Sequence, residues 1–93
     1  TLKRGKMINL NKKLKYTYKV RGRTFPLKTI GLKNADPQYL AVEAAIDFHK
    51  NHGGVEGVII EPLLRGESLG KFEIELEYGA ENEVICYRSH EQL

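Results

Sequence analysis

Between Lys13 and Val20 the apolar residues Leu14, Tyr16, Tyr18 and Val20 alternate with Lys13, Lys15, Thr17 and Lys19. A period of two puts one side of a strand on a core and the other in water. Arg21-Gly22 then supplies a tight turn, because glycine takes a positive φ at no steric cost. A second strand is predicted from Arg23 to about Leu32. Its apolar phase slips between Phe25/Leu27 and Ile30/Leu32, and Pro26 has no ladder donor, so it reads as an edge strand or one bulged near Lys28. Met7 to Leu10 reads as a short, weak strand ahead of the pair.

Asp36-Pro37 predicts a helix start, with Asp accepting from free backbone N–H groups and Pro where its missing donor costs nothing. Gly53-Gly54 ends that helix. Its apolar arc takes in Tyr39, Ala41, Val42, Ala44, Ala45, Ile46 and Phe48, with Leu40 at the margin, a width suited to lying on a sheet. Three strands are predicted after it. Val55 to Glu61 is β-branched and stopped by Pro62; Lys71 to Tyr78 alternates Phe72, Ile74 and Leu76 with Glu73, Glu75 and Glu77; Glu83 to Arg88 carries Val84, Ile85, Cys86 and Tyr87.

The expected fold is therefore α+β, a mainly antiparallel sheet in the order β-β-β-α-β-β-β with one central helix packed on one face, its connections hairpins rather than βαβ crossovers. Barrel-like closure of the same strands is the alternative. The expected core is Leu14, Tyr16, Tyr18, Val20, the helix arc, Val58, Ile60, Phe72, Ile74, Leu76, Val84 and Cys86. Ninety-three residues make one domain, 1–93. Residues 1–6 read as additional or disordered residues ahead of a start at Met7, and 89–93 as a frayed tail.

Charge changes the picture more than composition does. Thr1 to Ala35 holds eleven Lys and Arg and no acid, whereas Asp36 to Leu93 holds four bases against all twelve acids, a split hidden by the net charge of +3. Removing the first six residues takes away three bases and leaves the split intact. No apolar run approaches the roughly 20 residues of a membrane helix. The single cysteine, Cys86, fits a reducing compartment, and the expected location is cytoplasmic.

The basic strand-turn-strand is the first candidate for function. Lys13, Lys15 and Lys19 project from one strand face, Arg21 and Arg23 bracket the turn and Lys28 follows, so the hairpin can present cations to a phosphate backbone. Tyr16 and Tyr18, on the opposite face, read as core. A competing reading lays Glu73, Glu75 and Glu77 beside the lysines as neutralising cross-strand partners. The lysine-rich aromatic strand, Arg-Gly-Arg turn, second strand and helix, from Lys13 to His52, resemble the three-stranded-sheet DNA-binding domains of plant ethylene-response factors and transposon integrases. The resemblance implies DNA as a partner; it rests on no diagnostic residue, and no family is assigned on it.

Other constellations carry less. His49, His52, Cys86 and His90 are all the soft metal ligands in the chain, and their spacing fits no zinc knuckle; the two histidines read as capping the helix end and Cys86 as a buried strand residue. Cys86 with His49 or His52 is the only nucleophile-base pair, and Gly66 and Gly70 lack the Lys-Ser/Thr of a phosphate loop. The sequence thus favours a non-enzymatic nucleic-acid-binding protein that needs no cofactor or metal and engages DNA or RNA, not a membrane. The alternative is a protein-interaction or inhibitor-like module, homodimeric through its oppositely charged segments.

Overall fold

The computed structural model describes residues 16–27 and 36–93. They form an antiparallel sheet of six strands with one helix packed against it. The strands are β1 (Tyr16–Val20), β2 (Arg23–Leu27), β3 (Ile59–Leu64), β4 (Glu67–Ser68), β5 (Phe72–Tyr78) and β6 (Val84–Glu91), and the helix, α1 (Pro37–His52), lies between β2 and β3. This is the α+β class the pattern predicts. The expected strand at Met7–Leu10, the core position Leu14 and the phase slip and bulge near Lys28 lie outside the described residues.

The sheet runs β2-β1-β3-β5-β6, with β4 pairing β3. Every pairing is antiparallel, as expected. One connection is nevertheless a crossover: β2 and β3 both run antiparallel to β1, so they are parallel to each other with β1 between them, and α1 carries the chain across. A helix as long as α1 can span the face of an intervening strand, which is why short hairpins are not needed there.

Cross-strand partners share a face. Tyr16, Tyr18, Val20, Ile60, Phe72, Ile74 and Leu76 point toward the helix and are buried with Leu40, Ala41, Ala44, Ala45 and Phe48. The helix buries a narrower stripe than its apolar arc suggests. Leu40 is fully buried, whereas Tyr39 and Ile46 are 47% and 38% exposed. Three alanines on the buried side let the helix sit close to the sheet, which turns the far end of the arc out to water. Asp36 precedes the helix but its side chain makes no cap bond; Gly53 ends it, with its N–H donating to the His49 carbonyl.

Three further expectations are corrected. Pro62 does not stop β3: it lies within the strand, fully buried opposite Tyr18. Its carbonyl accepts from the Leu69 N–H on the side away from β1, so the donor it lacks falls where the β5 ladder has ended at Ile60 and the β4 ladder has not begun. The register Glu77↔Cys86 puts Cys86 on the outer face among the acids, while Leu76↔Tyr87 and Ile74↔Ser89 put Tyr87 and Ser89 under the helix; the bulge near Tyr78 shifts the phase read from sequence. Finally, residues 89–91 are not a frayed tail but the end of β6. Ser89 is buried and donates to the Gln38 carbonyl, and Gln38 Nε2 returns a bond to the Ser89 carbonyl, tying the first turn of α1 to the sheet.

Candidate nucleic-acid interface

Of the six cations expected to bind, Lys19, Arg21 and Arg23 are described; Lys13, Lys15 and Lys28 lie outside the described residues. Arg21 and Gly22 form the two-residue turn with φ of 51° and 82°. Both positive values match the turn type whose twist continues a right-handed hairpin. Glycine takes such a φ freely, but an arginine there is unusual and strained by about 1 kcal/mol.

The turn divides the cations between the two sides of the sheet. Lys19 pairs with Thr24 in β2 and with Glu61 in β3, so these three form an outward row. Val20 pairs with Arg23 on the helix side, where the Arg23 guanidinium lies 5.6 Å from the centroid of the Phe25 ring. Arg21, at the tip, borders a cavity on each side. The outer one, about 190 Å³, is lined by Lys19, Arg21, Gly22, Ile59, Glu61 and Lys71. Three cations therefore surround one carboxylate. Lys71 escaped the sequence reading because it lies far along the chain; the pairing Ile60↔Phe72 brings it to this end of the sheet.

The proposed neutralisation of the lysine strand by Glu73, Glu75 and Glu77 does not occur at Lys19. Strand β3 separates β1 from β5, and the acids face β6 instead. Arg88 forms an ion pair with Glu77 at 2.7 Å, and His90 Nε2 lies 2.7 Å from Glu75 Oε1; among the described residues no other basic side chain lies within ion-pair distance of an acid. Glu77 raises the Arg88 pKa by accepting its hydrogen bond.

The soft ligands are scattered in the same way. His49 Nδ1 is 2.7 Å from the Tyr87 hydroxyl, His52 packs against Phe25 and Phe48, and Cys86 and His90 lie on the opposite face of the sheet. No cluster of three metal-ligating side chains exists among the described residues. The cysteine is likewise separated from both helix histidines by the sheet, so the nucleophile-base pair is not assembled. Among the described residues no helix is long and apolar enough to cross a membrane.

No family description, curated protein or solved structure matches the chain.

Proposed function

We propose that this chain binds nucleic acid without catalysis, holding phosphates at the end of the β1–β2 hairpin. The observation that carries the reading is the meeting of Lys19, Arg21 and Lys71 around a single carboxylate, Glu61, while Glu77 and Glu75 of the nearby acidic strand are engaged by Arg88 and His90. Cations left in surplus at a projecting tip raise the local potential and attract a polyanion. Arg21 and Arg23 can each grip a phosphate with two parallel hydrogen bonds, Arg23 from the helix side and Arg21 from the tip, where it borders both cavities. Lys13, Lys15 and Lys28 belong to the same basic stretch of the sequence.

With about six phosphates contacted, the logarithm of the affinity should fall against the logarithm of salt concentration with a slope near −5. Replacing Arg21 and Arg23 together by alanine should weaken binding by roughly 1–3 kcal/mol, and lysine at both positions should restore the charge term without the bidentate one. Fluorescence anisotropy at about 50 mM salt measures all of these, and absence of binding to duplex DNA, single-stranded DNA and RNA at micromolar protein would refute the proposal. A protein-interaction module is the second reading, favoured by the exposed Tyr39 and Ile46 on the outer side of α1. A salt-stable dimer by light scattering, indifferent to DNA, would select it.

A further inference from the structure

On the helix side of the hairpin two cavities of about 270 and 360 Å³ adjoin, with Phe25 and His52 in the walls of both. The first is flanked by Arg21 and Arg23. The second is bounded by Pro26, Asp47 and Asn51. The ring centroids of Phe25 and His52 are 4.7 Å apart, and His52 lies 5.1 Å from Phe48, so the exposed imidazole is backed by two phenyl rings. Phe25 itself is covered, stacked on Tyr18 at 5.4 Å and lying under the Arg23 guanidinium at 5.6 Å, and its plane is tilted 48° from that of His52, so the stacking surface the cleft exposes is the imidazole.

The polar end of this cleft has a defined sense. Asp47 Oδ2 accepts from the Tyr18 hydroxyl at 2.7 Å, and Asn51 Nδ2 donates to Asp47 Oδ1 at 3.2 Å and to its backbone carbonyl at 3.0 Å. Because both Asp47 atoms can only accept, the Asn51 amide nitrogen must point toward them, which leaves its Oδ1 as an acceptor. Among the described residues no donor meets that oxygen. The cleft thus offers an aromatic platform, a group of acceptors at one end and two guanidinium groups at the other.

From this arrangement we infer that the cleft takes one unstacked base of a single-stranded nucleic acid, guanine in preference to thymine or uracil; the inference rests on the nucleic-acid reading above. A base can lie on the exposed His52 ring only when its own faces are free, which a duplex does not allow. Guanine presents two neighbouring donors, N1–H and N2–H, to Asn51 Oδ1 and the Asp47 carboxylate. Thymine and uracil flank their single N–H with two carbonyls, which the same acceptors repel. The flanking phosphates then fall within reach of Arg21 and Arg23.

Anisotropy with single strands of about eight nucleotides tests this, one strand all thymine and the other with a single central guanine. The guanine should tighten binding roughly ten-fold. His52→Ala combined with Asn51→Ala, both at exposed positions, should return the guanine strand to the all-thymine affinity, with circular dichroism melting used to verify that the variant is folded. Equal affinity for the two strands overturns the inference and leaves phosphate-driven binding standing, as does a guanine preference that survives the double substitution. Absence of binding to any strand or duplex overturns the proposed function and the inference with it.

Discussion

Tyr18 is fully buried, and its hydroxyl donates to a carboxylate that is itself held by Asn51. Burial and then the hydrogen bond to Asp47 push its pKa well above the ordinary value of 10.0. Removing the hydroxyl leaves Asp47 short of a donor, so Tyr18→Phe should destabilise the fold by roughly 1–3 kcal/mol in urea titrations at neutral pH. The pH dependence has a definite sign. Above about pH 10 the unfolded chain releases this proton while the folded chain retains it, so stability falls as pH rises, by up to about 1.4 kcal/mol per pH unit until the folded pKa is reached. Urea midpoints at about pH 9 and pH 11 should therefore lie further apart for the parent than for Tyr18→Phe. Sequence alternation identifies Tyr18 as core, but it does not announce Asp47, 29 positions away, as its partner.

Two hairpins use the same device. Arg65 and Gly66, between β3 and β4, have φ of 52° and 86°, nearly those of Arg21 and Gly22. The register Tyr16↔Leu64 puts the second turn beside the start of β1, at the opposite end of that strand from Arg21. Asparagine tolerates the left-handed region better than arginine, so Arg21→Asn and Arg65→Asn should each stabilise the fold by up to about 1 kcal/mol in thermal or urea denaturation. Nucleic-acid binding separates them: Arg21→Asn should lose affinity while gaining stability, whereas Arg65→Asn should gain stability with affinity nearly unchanged. Because Arg65 has the same φ, the strain belongs to the turn type, and only the affinity readout bears on the proposed site. The first turn is legible in sequence because strict alternation precedes it; the second has no such signal, because β4 has just two residues and no period to recognise.

Across the whole molecule the outer face of the sheet is divided by sign. Lys19, Arg21 and Lys71 gather at the hairpin end, and Glu73, Glu75 and Glu77 lie across β3 against Arg88 and His90. The pairs to Arg88 and His90 are half exposed, so they contribute little to stability. Changing all three glutamates to glutamine should lower stability by less than about 1 kcal/mol in calorimetry. The same change removes three negative charges from a chain of net charge +3, which should tighten duplex binding several-fold at about 50 mM salt and have little effect near 0.5 M. Loss of several kcal/mol at low salt would mean that the acids neutralise the basic segment after all.

Local sequence determined the strands at Tyr16–Val20 and Phe72–Tyr78 through their period of two, the helix between Asp36 and Gly53 through its end signals and apolar arc, the antiparallel class through short connections and the segregation of charge through position, because each depends on residues close together in the chain. Strand order, register and facing were decided by the tertiary structure. Whether Lys19 meets Glu61 or Glu73 depends on β3 lying between β1 and β5, and whether Cys86 is core or surface depends on a bulge that shifts one register. The same holds for the gathering of Phe25, Asp47, Asn51 and His52 into one cleft, which requires α1 to cross the sheet behind β2. Pairing partners far apart in sequence are selected by packing, and a side-chain period of two cannot encode which neighbour a strand will find.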